Sequence, residues 1–131
     1  MAAGINEMEP SKKKILIIDD EIDIVNILDD LFKARGFEVA KAIRGSMGLD
    51  LAFKMKPDLV ILDLRMPGLD GESALKELKE RLPETKVLIF TAWTGTETKN
   101  RVLAKGADMF VEKPGDFEDL KDRVIHLLER T

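Results

Sequence analysis

The chain has 131 residues, 44% hydrophobic and 35% charged, which suffices for one domain with a real core and leaves little room for a second. A formal net charge of -4 with both signs interspersed argues against a general polyanion binder, so direct nucleic-acid binding by this domain is not expected. The lack of cysteine excludes a disulfide framework or thiolate metal site and permits a reducing compartment, and no run approaches the ~20 apolar residues of a membrane span; a soluble, cytoplasmic protein without membrane association is the expectation.

Residues 1–12 carry no hydrophobic period and run into lysines at 12 to 14, so a flexible tail is expected there, ahead of a domain over 13–131. "ILII" then reads as a buried strand. Ile24, Val25, Leu28, Leu31 and Phe32 recur at helical spacing up to Gly36, a fitting C-terminal cap. "FEVAKA" is a weaker strand, Ser46 to Met55 a helix stopped by Pro57, and "DLVILD" a second strongly apolar strand. Ala74, Leu75, Leu78 and Leu82 mark a helix ending at Pro83, followed by the strand "KVLIF". Thr94 with Glu97 reads as a capping box opening a helix of little apolar surface that ends at Gly106. A short strand "DMFVE" precedes a last helix whose inner stripe is Phe117, Leu120, Val124, Leu127 and Leu128. About five strands alternating with about five helices, the strongest strands apolar throughout, indicate an α/β fold: a doubly wound parallel sheet with helices on both faces.

Such sheets bind ligands beyond the carboxyl ends of their strands. Here the first strand finishes in Asp19-Asp20-Glu21, the third in Asp63 and the fourth in Thr91, while the fifth runs into Lys113-Pro114. Gathering carboxylates is costly, since two like charges ~4 Å apart repel by ~4 kcal/mol at an effective dielectric of ~20. A hard divalent cation compensates, and Mg²⁺ suits a few carboxylates plus waters and a phosphate oxygen. Lys113 could hold a second phosphoryl oxygen and Thr91 a third. A carboxylate can itself attack phosphorus to give an acyl phosphate, and Asp63 sits centrally for that task.

"IIDDE", "LVILDLRMPGLDG", "LIFTA" and "DMFVEKP", each at a strand end, resemble the receiver domain of two-component response regulators over roughly residues 13–130. That resemblance implies a flavodoxin-like strand order 2-1-3-4-5. It implies Asp63 as phosphoacceptor, charged by a sensor histidine kinase or phosphotransfer protein. Asp19 and Asp20 become the acidic pair for Mg²⁺, joined by Asp63 and the backbone carbonyl of Arg65. Thr91 becomes the switch hydroxyl, Lys113 the phosphate-contacting lysine, preceding a cis peptide, and Phe110 the aromatic that changes rotamer. The face formed by residues 95–130 would bind a downstream protein or a second copy of the chain, and catalysis would be confined to self-phosphorylation and self-dephosphorylation. Phe110 stands where many receivers have Tyr. Arg65 and Trp93, each two residues past a site residue, occupy positions that influence how long the phosphoryl group survives.

Single residues admit plainer readings. Asp19 and Asp20 could cap the first helix, Lys113 could be a surface lysine, and Met66 and Phe110 could be core. His126, the single histidine, falls on the last helix away from the acids. A small Mg²⁺-dependent phosphatase using an aspartyl phosphate would need a second acid near the nucleophile and a cap over a substrate pocket, and "DLR" supplies neither. A non-phosphorylated, purely structural interaction module of the same fold would lack an acid or the lysine, and none is missing. No GxGxxG or GxxxxGK[ST] occurs, which sets nucleotide binding aside. The last helix is followed only by the chain end, leaving open a stand-alone receiver and a piece of a longer regulator.

Overall fold

The computed structural model describes residues 12–93 and 95–129; all but the last residue of the tail expected over 1–12, and the capping residue Thr94, lie outside them. In chain order the elements are β1 Lys14–Ile18, α1 Ile22–Lys33, β2 Glu38–Ala42, α2 Gly45–Met55, β3 Leu59–Leu62, α3 Gly71–Arg81, β4 Lys86–Thr91, α4 Thr96–Ala104, β5 Met109–Glu112 and α5 Phe117–Glu129. The strands pair in parallel in the order β2-β1-β3-β4-β5, as the resemblance implies.

The uniform apolarity of the strands follows from two buried faces. Successive side chains point to opposite sides of a strand. Leu16, Ile18, Val60, Leu62, Val87 and Ile89 accordingly pack with Ala52 of α2, Leu75 and Leu78 of α3 and Val102 of α4. Their alternates Ile15, Ile17, Leu59, Ile61, Leu88 and Phe90 pack with Leu28 and Phe32 of α1 and Leu120, Val124 and Leu127 of α5. Each such side chain contributes roughly 1.5–3 kcal/mol on full burial. The expected stripes of the first and last helices therefore form one side of the core.

The turn after β3 takes its form from two glycines. Arg65–Met66 and Leu69–Asp70 form a two-residue antiparallel hairpin, with Gly68 at φ +75 in its turn. Gly71 opens α3 so tightly against the preceding loop that a Cβ there would stand 2.5–2.9 Å from the backbone of Leu64. A larger residue would push α3 off the segment that carries Asp63.

The expected Thr94–Glu97 capping box involves a residue outside the described ones; α4 is entered through Gly95, at φ +130. That positive φ suits a glycine, which has no Cβ to clash there. Only Thr98 and Val102 of α4 are buried, in keeping with its expected thin apolar face. Its firmest lateral tie is ionic: Arg101 Nε and Nη2 donate to the two carboxylate oxygens of Glu72 on α3 at 2.7 and 2.9 Å, and Lys105 Nζ adds a bond of 2.9 Å. Among the described residues no helix is long and apolar enough to cross a membrane.

The hydrogen bond from Arg101, then that from Lys105, holds the Glu72 carboxyl at about 2, against an ordinary 4.5. A depressed carboxyl stabilises the fold fully above its unfolded pKa and ceases to do so as pH falls through the folded value. Glu72→Gln therefore lowers the melting temperature by a few degrees at neutral pH. That gap closes as pH drops from about 4.5 towards 2, and 1 M salt shrinks it. Thermal unfolding across pH and salt checks this.

Candidate functional site

Ladder hydrogen bonds set the site before any side chain is considered. The sheet's parallel register continues one residue past the strands: Asp19 N–H donates to the carbonyl of Ala42 at 3.0 Å, Asp63 N–H to that of Ile18 at 3.1 Å and Lys113 N–H to that of Thr91 at 2.9 Å. Asp19, Asp63 and Lys113 thus stand at the same edge. The acids directly follow β1 and β3, where strand order reverses and open α/β sheets bind their ligands.

Lys113 Nζ lies 2.7 Å from Asp19 Oδ2, 2.7 Å from Glu21 Oε1 and 3.0 Å from Asp63 Oδ2. It also lies 5.6 Å from the centroid of the buried Phe90 ring. The Lys113, Asp19 and Asp63 side chains are only 5%, 2% and 6% exposed, whereas Glu21 is 55% exposed. Burial alone would disfavour the ammonium, but hydrogen bonds to Asp19, Glu21 and Asp63 outweigh it and raise the lysine above its ordinary value. Burial raises the Asp19 carboxyl, and the opposing hydrogen bond from Lys113 only partly offsets it. One ammonium is thus shared among more negative charge than it neutralises.

Asp19, Asp20 and Asp63 each offer a carboxylate oxygen within 4.8 Å of the others. Asp20 is exposed, with no hydrogen-bond or ion-pair partner among the described residues. The helix-cap reading of the pair fails. The N-cap of α1 is Glu21, with no side-chain cap bond, and Asp19 Oδ1 accepts instead from the Glu21 N–H at 3.0 Å. An all-oxygen, excess-anionic cluster with one unpartnered carboxylate fits a hard divalent cation.

The remaining candidates fall around this cluster at different distances from it. Arg65 N–H donates to Asp63 Oδ1 at 3.2 Å. The Arg65 guanidinium carbon lies 5.7 Å from the centroid of the Trp93 ring, and the two line a cleft with Leu64, Met66, Pro67, Leu69 and Asp70. Thr91 is fully buried at the end of β4, and its Oγ1 accepts from the Trp93 N–H at 3.2 Å without bonding Asp63. Phe110 pairs with Ile89 across the β4–β5 ladder and packs, partly buried, on the face that carries α4. Met66 is core, the Lys113-Pro114 peptide is cis, and His126 is exposed on α5.

Sequence reasoning missed Glu21 as a partner of Lys113. Its one signal was adjacency to the paired acids, which reads equally well as the start of α1. It also missed the Glu72–Arg101–Lys105 cluster, whose members lie 29 and 33 residues apart and share no local pattern.

Comparison with known proteins agrees with this fold. The response regulator receiver domain family matches residues 15–125. Regulatory protein AtoC of Escherichia coli K12 is 39% identical over 107 residues, which cover 82% of this chain and 23% of that protein. Sporulation initiation phosphotransferase F of Bacillus subtilis is 35% identical over 112 residues, covering 86% of this chain and 90% of that protein. The chain therefore spans about a quarter of the first relative and nearly all of the second. A CheY-like receiver domain protein from Methanospirillum hungatei superposes with TM-score 0.88 at 27% identity, over 92% of this chain and 96% of that one. The Francisella response regulator 1452 receiver domain gives 0.84 at 33% identity, over 91% and 98%. With the family model matched over most of its length and the same fold in these receiver structures, the chain belongs to the response regulator receiver domain family.

Proposed function

We propose that residues 13–131 form a receiver that accepts a phosphoryl group on Asp63 from a sensor histidine kinase or phosphotransfer protein in the cytoplasm. The observation that carries this reading is a buried Asp63 carboxylate 3.0 Å from the Lys113 ammonium and clustered with the Asp19 and Asp20 carboxylates. A carboxylate oxygen of Asp63 attacks phosphorus, and the bond from phosphorus to the donor nitrogen breaks with its electron pair returning to the imidazole. Lys113 offsets charge on the transferred group. Asp19, Asp20, Asp63 and the backbone carbonyl of Arg65 would hold Mg²⁺, which when bound disperses the negative charge of the transferring group.

The readout rests on α4. With only Thr98 and Val102 buried and Gly95 at its start, this helix has a small apolar anchorage, so two packings can lie within a few kcal/mol. A phosphoryl group on Asp63 draws on the Thr91 hydroxyl, now engaged by Trp93 N–H, and frees space for Phe110 to turn. The altered face over 95–130 then binds a downstream protein or a second copy of the chain, with no direct contact to nucleic acid. The chain's only catalysis is its own phosphorylation and dephosphorylation. Arg65 stacked towards Trp93 beside Asp63 shields the acyl phosphate from water.

Incubation with acetyl phosphate and Mg²⁺ should add one phosphoryl group to the intact protein by mass. Asp63→Asn or EDTA should abolish the gain, and a gain surviving in Asp63→Asn contradicts the assignment. Once donor is removed, Arg65→Asn and Trp93→Glu should lose the added mass severalfold faster than the parent; unchanged lifetimes remove the shielding role.

A further inference from the structure

Lys113 serves one carboxylate more than the phosphoryl chemistry asks of it. An ammonium has three donors, and Asp19, Glu21 and Asp63 place three oxygens within 2.7–3.0 Å of Nζ. An oxygen of a phosphoryl group on Asp63 therefore meets a lysine whose donors are all taken, and one partner must let go. Asp63 carries the incoming group. Asp19 is buried, and its other oxygen is held by the Glu21 N–H at 3.0 Å.

Glu21 is the partner free to leave. Its side chain is 55% exposed and makes no cap bond to α1, so release returns a carboxylate to water at little desolvation cost. Its backbone meanwhile keeps its place, the carbonyl accepting from Val25 N–H at 3.0 Å. Release therefore does not disturb the helix.

We propose that Glu21 is a positioning residue that occupies the third donor of Lys113 in the unphosphorylated protein and yields it to the incoming phosphoryl oxygen, slowing acceptance from any donor. The inference rests on the receiver reading above. No covalent bond changes at Glu21; it exchanges one hydrogen-bond partner for water. Because its interaction with Lys113 is partly open to solvent, salt weakens the brake.

The test compares the parent with Glu21→Ala and Glu21→Gln by time-resolved intact mass under acetyl phosphate at saturating Mg²⁺, in low and high salt. At low salt both variants should gain the phosphoryl group about two- to fivefold faster, the range an exposed ion pair supports. The ratio should fall towards one in high salt, with melting temperatures matching the parent. Glu21→Gln keeps the side chain's shape, so its acceleration marks loss of charge rather than of packing. Phosphorylation of the parent with variants no faster overturns the proposal, as does an acceleration indifferent to salt. If neither parent nor variants gain mass, the receiver reading itself fails and the inference falls with it.

Discussion

The structure depends on a single ammonium placed among acids that would otherwise repel one another. Lys113 touches Asp19 from β1 and Asp63 from β3, while its own backbone extends β5. Two like charges at such distances cost about 4 kcal/mol at an effective dielectric of about 20. A shared cation offsets much of that, although burial still raises the Asp19 carboxyl. The site is thus held together and left short of positive charge, which is the condition in which a divalent cation or a phosphoryl-metal pair gains most.

That lysine is itself held from below. Its ammonium lies over Phe90, whose ring meets Phe117 of α5 edge to face at 6.3 Å. The fixed part of the site is therefore continuous with the core face that carries α1 and α5. The part suited to motion lies on the other face, where α4 is anchored by little apolar surface and by the ionic tie to Glu72. The firmer and the more thinly anchored sides of the domain follow from how the two core clusters share their apolar residues.

Much of this was legible in the sequence because parallel strands buried on both faces write themselves as apolar runs. "ILII", "LVIL" and "KVLIF" needed no alignment to read, and the acids that interrupt them stood out for the same reason. What could not be read were contacts between residues far apart in the chain. Glu21 reaches Lys113 across 92 residues, and nothing local separates it from an ordinary first-turn acid. The chain enters α4 through the unusual backbone of Gly95 at φ +130, a conformation that residue spacing does not announce. Thr91 was foreseen at the right strand end, but its hydroxyl's engagement by Trp93 N–H depends on loop geometry that spacing does not encode.

The central claim, that Lys113 holds mutually repelling carboxylates at the strand ends, is tested most directly by a double-mutant cycle in metal-free urea unfolding. The set is the parent, Lys113→Met, Asp63→Asn and the double variant. Lys113→Met should cost about 3–5 kcal/mol, because it strands buried charge. Adding Asp63→Asn should recover part of that loss, with a coupling of about 1–3 kcal/mol. Strict additivity of the two substitutions, or a Lys113→Met variant as stable as the parent, would contradict the account.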